Sequence, residues 1–473
     1  MLDKGILLIF SYICAFKNTD MENFDRGNFG SKLGLILATA GGAVGLGNVW
    51  RFPYMAGENG GAAFILVYFG CVLILGLPCM ISEFIIGRRG ASNTARAYTK
   101  MANGRPWKYI GFLSVLTGYL ITCYYAVVSG WCLEYVYASI TRRINGNSQA
   151  IAQYFSDFSE DPIRPVFWTV AILLFTHFVI IRGVKGGIEK ASKIMMPTLF
   201  ILLIIIVVAS CMLPNAWKGV EFLFKPDFSK CDGDVFLGAL GQSFYSLSIG
   251  MGCACTYASY FNKDTNLGKS ALQIGVIDTA VAILAGLMIF PAAFSIGTSP
   301  DSGPSLIFIT LPNVFVQAFA SFPTIGWVIS IIFYILLTLA ALTSLISLHE
   351  VSTAFFYEEM NVSRKKGAII ITVTCSIIGA FCSLSLGATD VLSFDGKSLF
   401  DWFDFITGQI FLPIAGFFTC VFLGWFIPKK IIQSEFTNKG TIKGNIFMIY
   451  LFLIRFVCPI FILLIFLKQL NLF

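Results

Sequence analysis

The chain has 473 residues, of which 56% are hydrophobic and only 12% charged, with a mean hydropathy of +0.78 and a net charge of +7. A soluble domain of this size needs far more charge to cover its surface, so the solvent for most of these side chains is a bilayer. The basic residues sit in short clusters between apolar runs, without aromatic interleaving. That pattern argues against a nucleic-acid partner and marks membrane topology instead.

The chain opens with Lys4 and a short apolar stretch from Ile6 to Phe16. It resembles a signal sequence but is too short to span and lacks a convincing cleavage site, and Met21 offers an alternative start. From there, windows of about twenty residues without charges predict roughly eleven spanning helices. They lie near 33–56, 61–85, 109–138, 165–181, 194–213, 235–259, 271–295, 323–356, 367–387, 401–426 and 445–467. Nothing alternates as membrane barrel strands do, so the expected class is an all-α polytopic membrane protein.

Basic residues follow helix 2 (Arg88, Arg89, Arg96, Lys100, Arg105, Lys108), helix 4 (Arg182, Lys185, Lys190, Lys193), helix 8 (Arg364, Lys365, Lys366) and helix 10 (Lys429, Lys430, Lys439, Lys443). The intervening loops are mixed or acidic, with Asp157, Glu160, Asp161, Asp232, Asp234, Asp301, Asp390 and Asp395. By the positive-inside rule the N-terminus is cytoplasmic and the C-terminus external, in an inner (plasma) membrane.

The 13 cysteines are scattered, many within apolar runs, and the 2 histidines, His177 and His349, are far apart. No metal spacing or nucleophile–base pair emerges, so neither a metal centre nor an enzyme is expected. Two spans are interrupted by small residues in comparable places. Helix 1 carries Gly41-Gly42-Ala43-Val44-Gly45-Leu46-Gly47-Asn48, and helix 6 carries Ser246-Leu247-Ser248-Ile249-Gly250-Met251-Gly252. Small residues also let membrane helices pack closely. Breaks in corresponding positions of two halves point further, to a midplane site where freed backbone groups meet a ligand. The glycine run opens no βαβ unit, so a dinucleotide site is not expected.

The run Gly45-Leu46-Gly47-Asn48-Val49-Trp50-Arg51-Phe52-Pro53-Tyr54, with Leu33 to Ala38 before it and Glu58-Asn59-Gly60-Gly61 after it, closely resembles the first helix of the neurotransmitter:sodium symporter family. Tyr124-Tyr125, Gln242 to Gly252, Thr256 to Tyr260 and Leu342-Thr343-Ser344 continue the resemblance in order, from about residue 26 to 426. The helix count resembles the bacterial branch. The resemblance implies a LeuT-type fold: a five-plus-five inverted repeat with broken helices 1 and 6. The repeats would span 33–213 and 235–426, after a cytoplasmic segment 1–32 and before an eleventh helix and external tail at 445–473.

It also implies a sodium-coupled importer of amino acids with two sodium sites, a small-molecule substrate and the lipid bilayer as partners. The first site would use Ala43, Asn48, Ser246 and Asp278; the second would use Gly41, Val44, Ala340, Thr343 and Ser344. Asp278 lies deep in an apolar run, where a charge costs about 2.5–3.5 kcal/mol and so has a partner or a task. Other members carry Asn there and draw negative charge from chloride, or from an acid one turn later, where this chain has Ala282. A chloride-independent transporter is therefore expected.

The resemblance lines the substrate pocket with Gly42, Ala43, Gly45, Leu46, Gly47, Ile121, Tyr125, Tyr245, Ser246, Ser248, Met251, Ser344 and Leu348. Gly45 replaces the Asp of monoamine carriers, which favours an α-amino acid. The apolar Ile121, Met251 and Leu348 favour a hydrophobic or aromatic L-amino acid, and Gly42 is expected to leave room for a large one. Arg51 and Asp404 would pair as the outer gate beneath which Tyr125 and Tyr245 form a lid. Arg26, Phe29, Tyr260 and Glu358 would form the inner gate, with Phe29 replacing the usual Trp and Glu358 the usual Asp. Arg455 has no expected partner. A proton-coupled carrier and a non-transporting amino-acid sensor stay open as alternatives.

Overall fold

A computed structural model describes residues 27–470 and 472, apart from 104, 145–147, 298–305 and 443. The expectations for residues 1–26, including Arg26 and the alternative start at Met21, lie outside the described residues, as do those for Asp301 and Lys443.

The expected helices form where the apolar windows lie. α1 (Lys32–Ala43) and α2 (Gly47–Glu58) are two halves of one span, bent by 57°. They are followed by α3 (Ala62–Gly90), α4 (Lys108–Ile140), α5 (Arg164–Ile180) and α6 (Val184–Cys211). α7 (Gly233–Ser246) and α8 (Cys253–Ala258) divide the next expected crossing. α9 (Leu267–Ser295), α10 (Pro323–Glu359), α11 (Arg364–Leu384), α12 (Leu399–Phe426) and α13 (Phe447–Gln469) complete the chain. Among the described residues, 8 helices are individually long and apolar enough to cross a bilayer, and up to 10 if each bent pair is one span. The sixth expected span, at 235–259, corresponds to the broken pair α7 and α8, too short singly to count.

Local chemistry sets the ends. Ser31, Asp232, Asn266 and Ser363 cap α1, α7, α9 and α11 by accepting a backbone N–H of the first turn. Ser398 and Asp401 form a reciprocal capping box at α12. Just before it, Ser393–Phe394 pairs antiparallel with Lys397–Ser398 around Asp395-Gly396, both at positive φ (54° and 74°), the backbone that a tight two-residue hairpin requires.

Each helix sorts its faces between protein and lipid. On α11, Ile369, Val373, Ile377 and Phe381 recur every fourth residue and are exposed, while Gly367, Ile371, Cys375, Gly379 and Cys382 face inward. In water such a stripe would invite aggregation; in a bilayer it is the lipid face. Helices remote in sequence share each packing group. α4, α5, α10 and α11 pack together, while α3 packs on α7, α8 and α9, with α1 lying against α6, α9 and α10. The two breaks are enclosed between these groups.

Candidate ion and substrate site

α1 stops at Ala43 because Val44 turns extended (φ −73°, ψ 107°), and the helix resumes at Gly47. α7 stops at Ser246, and α8 begins only at Cys253; between them Ser248, Gly250 and Gly252 lie at φ 54°, 89° and 78°. Glycine tolerates that backbone freely, whereas Ser248 does not and is held by its own contact. Its hydroxyl donates to the Gly42 carbonyl at 2.9 Å, tying the two breaks together. The freed Gly250 N–H donates to Oε1 of Glu83 in α3 at 2.7 Å, and the freed Leu46 N–H to the Tyr125 hydroxyl at 3.2 Å. Unwound backbone is thus tolerated at this depth because side chains satisfy it.

Beside the breaks lie two oxygen-rich clusters. In the first, Asp278 is fully buried. Its Oδ1 accepts from Asn48 Nδ2 at 2.7 Å, and its Oδ2 from the Ser246 hydroxyl at 2.7 Å and the Tyr68 hydroxyl at 3.3 Å. The Asn48 oxygen meanwhile accepts the Gly45 N–H at 3.0 Å, so an ion beside Asp278 is reached by the amide oxygen only after that side chain rotates. In the second cluster the Thr343 hydroxyl lies 2.9 Å from the Ala340 carbonyl and 3.4 Å from that of Val44. The Ser344 hydroxyl lies 3.3 Å from the Gly41 carbonyl and 3.2 Å from that of Val44. All expected donors of this second cluster therefore converge. Hard oxygen atoms at hydrogen-bond spacing are what a small hard cation accepts as ligands.

Between the breaks Gly47, Tyr125, Tyr245 and Ser248 are partly exposed, and a Cβ built on Gly47 would meet only open space. Ile121, Met251 and Leu348 are buried, at 5%, 6% and 4% exposure, and are apolar throughout. Two glycines behave differently from Gly47. A Cβ on Gly45 would stand 2.5 Å from Ser344 Oγ and 3.0 Å from the Tyr125 hydroxyl, so no larger side chain fits there without displacement. A Cβ on Gly42 would stand 2.9 Å from Ser347 Oγ and 3.8 Å from the Tyr257 ring. Gly42 therefore makes room for α10, not for a large substrate, and that expectation is corrected.

The two sides of the breaks differ. On one, the Arg51 guanidinium lies over the Tyr245 ring, 4.3 Å from its centroid, while Asp404 is exposed. Among the described residues no ion pair within 4.0 Å joins Arg51 to Asp404, so the expected pairing is absent in this conformation. On the opposite side every described residue expected in the inner gate is buried. Phe29 packs edge-on against Tyr257 and Tyr260, at 6.0 and 6.3 Å between centroids. Tyr260 donates to Glu350 at 2.7 Å, and Glu350 also receives both terminal nitrogens of Arg364. Glu358 accepts from the backbone and side-chain nitrogens of Asn93, at 2.7 and 2.9 Å.

Sequence reasoning passed over Tyr68, Glu83, Asn93, Glu350 and Arg364. Glu83 and Glu350 carried the same signal as Asp278, an acid within an apolar run, and could have been found by it. Arg455 does have partners: its Nε donates to the Gly424 carbonyl at 2.6 Å, and its carbonyl accepts the Trp425 indole N–H at 3.1 Å.

The chain is similar to known proteins along most of its length. The family model described as Sodium:neurotransmitter symporter family matches residues 26–157 and 156–473. An uncharacterized sodium-dependent transporter of Bacillus subtilis, YhdH, is 36% identical over 93% of this chain and 97% of its own. One from Haemophilus influenzae is 35% identical over 95% and 99%. The sodium- and chloride-dependent taurine transporter of Rattus norvegicus is 28% identical over 85% of this chain and 71% of that protein. Among solved structures, MhsT in complex with L-phenylalanine matches with a TM-score of 0.84 and 40% identity, covering 94% of this chain and 100% of that one.

Proposed function

Because this chain belongs to the sodium:neurotransmitter symporter family, whose members are sodium-coupled transporters rather than enzymes, we propose that it imports hydrophobic or aromatic L-amino acids with sodium by alternating access. The fold is the LeuT-type one of that family and the protein is a multi-pass membrane protein. We take the repeats to be 33–213 and 235–426, with 445–473 appended, and the Arg51 face to be external, as the basic loops suggest.

The observation that carries the reading is the meeting of the two breaks between two oxygen clusters. A substrate carboxylate placed at the Leu46 amide and Tyr125 hydroxyl, which already lie 3.2 Å apart, adjoins the Asn48 and Asp278 cluster. It can complete a sodium shell there, so each ligand raises the other's affinity. The ammonium then lies toward the carbonyls of Ala43 and Tyr245 and the Ser248 hydroxyl. Gly45, crowded by Ser344 and Tyr125, leaves no space for the acidic side chain that a carboxylate-free amine would need. The apolar Ile121, Met251 and Leu348 receive the substrate side chain, and the related MhsT binds L-phenylalanine.

Asp278 favours sodium over a proton. Its two oxygens lie within hydrogen-bond reach of three donors, Asn48, Tyr68 and Ser246, and such donors stabilise the charged carboxylate. Its fixed negative charge beside the first sodium site makes chloride unnecessary in this reading.

The deciding experiment is uptake of labelled L-amino acids into proteoliposomes, with and without an inward sodium gradient. Accumulation of one or a few apolar amino acids only with sodium supports the proposal. Accumulation driven by a pH gradient alone would overturn it, and binding without accumulation would make the protein a sensor.

A further inference from the structure

Helix α1 docks on α6 through one carboxylate. Glu189 lies in the wide turn Val184–Glu189 that opens α6 and is 3% exposed. Its Oε2 accepts the Gly30 N–H at 2.6 Å, and its Oε1 accepts the Ser31 hydroxyl at 2.7 Å. Ser31 is itself the cap of α1, accepting the Gly34 N–H at 3.0 Å. Lys193, one turn further along α6, reaches the same Oε1 at 2.7 Å.

The approach is closer than any side chain on α1 would allow. A Cβ on Gly34 would lie 2.3 Å from both Cγ and Oε1 of Glu189, and one on Gly30 would lie 2.8 Å from Lys185 Cε. Seven residues beyond Glu189, on the same face of α6, Met196 backs Gly41, where a Cβ would lie 3.5 Å from its sulfur. The Gly41 carbonyl belongs to the Thr343 and Ser344 cluster. One surface of α6 thus supports α1 from its first turn to the ion cluster.

We infer that Glu189 is a latch: it holds α1 in the docked position, and its release is a required step in opening the Phe29 face. The inference rests on the alternating-access reading above. The carboxylate takes the Gly30 N–H just ahead of α1 and the hydroxyl of its cap Ser31, beside the positive end of the helix dipole. When the face opens, water replaces these bonds and Lys193 stays beside the carboxylate, so release leaves no group stranded. Undocking α1 also carries the Gly41 and Val44 carbonyls away from Thr343 and Ser344. Sodium at that cluster and the latch therefore hold the same helix in the same place, and each strengthens the other. Glu189 touches neither ion nor substrate and acts as a positioning residue.

The test reads sodium dependence and helix docking together, in purified protein in nanodiscs and in proteoliposomes. Glu189→Ala is expected to raise the sodium concentration for half-maximal binding on the order of tenfold, because only the docked fraction is competent. Amide exchange over residues 30–40 should accelerate in saturating sodium. Gly34→Ala, which pushes the helices apart while Glu189 remains, is expected to reproduce both effects. Glu189→Gln retains an acceptor and should be intermediate, which keeps the test informative if the alanine variant does not fold. Normal sodium affinity and normal protection of 30–40 in both Gln and Gly34→Ala variants would overturn the latch. Absence of sodium-driven uptake by the unaltered protein would instead overturn the transport reading, while accelerated exchange in the variants would still report the docking contact.

Discussion

A single buried carboxylate organises the first oxygen cluster. Asp278 joins α2, α3 and α7 through Asn48, Tyr68 and Ser246, each donor coming from a different helix. Charge-assisted bonds of this kind contribute about 1.5–3 kcal/mol. Asp278→Asn is expected to reduce sodium-driven uptake roughly ten- to hundredfold in chloride-free buffer, with partial recovery on adding chloride. Unchanged transport without chloride would show that the charge lies elsewhere. The glycines make a second residue-scale comparison. Gly45→Ala forces a Cβ to 2.5 Å from Ser344 Oγ, and overpacking on this scale costs about 1–3 kcal/mol, read as a matching loss of substrate affinity. Gly47→Ala meets open space, so equilibrium binding should show retained affinity for small apolar amino acids and a decline for aromatic ones.

The break between α7 and α8 is an element that cannot support itself. Residues 247–252 form no regular helix, and Gly250 at φ 89° offers its N–H to Glu83. Removing that acceptor strands a buried donor, at a cost of about 1–3 kcal/mol. Glu83→Ala should therefore lower the melting temperature of the purified protein clearly more than Glu83→Gln, which keeps an acceptor in place. Gly250→Ala is a harsher change, because its Cβ would lie 2.8 Å from the Leu412 carbonyl as well as occupying a left-handed backbone. The element boundaries were legible in composition: Gly41 to Asn48 and Ser246 to Gly252 coincide with the observed breaks. What holds each break was not, since Glu83 is 167 positions from Gly250.

At the scale of the whole molecule the Arg51 face is open and the Phe29 face closed. Asp404 is exposed and no side chain of Leu399–Phe405 is buried, whereas Tyr257, Tyr260 and Glu350 are at most 1% exposed. A ligand can favour this conformation only by binding it better than the alternatives. Sodium, which bridges α1 to α10 in the proposed second site, has that property. At about a hundred times its dissociation constant it should stabilise the fold by about 2.7 kcal/mol over choline, visible as a raised melting temperature. An identical melt in sodium and choline would count against sodium sites in this state. Substrate is expected to draw Tyr245 and Arg51 toward Asp404, and Arg51→Met should slow turnover more than it weakens binding.

The sequence by itself determined the spans, the two breaks and the family, because hydropathy and small-residue composition act within windows of one helix, and a conspicuous motif needs no partner to be read. It also singled out Asp278 and the Thr343–Ser344 pair, whose expected partners Asn48 and Val44 the fold brings to them. Only the tertiary structure decided which groups meet across those helices: Tyr68 with Asp278 over 210 positions, Glu189 with Gly30 over 159, and Tyr260 with Glu350 over 90. It alone showed that Gly42 faces Ser347 and that Arg51 rests on Tyr245. Those outcomes depend on helix rotation and on which conformation is populated. Both are set by packing between helices remote in sequence, and neither leaves a mark in local periodicity.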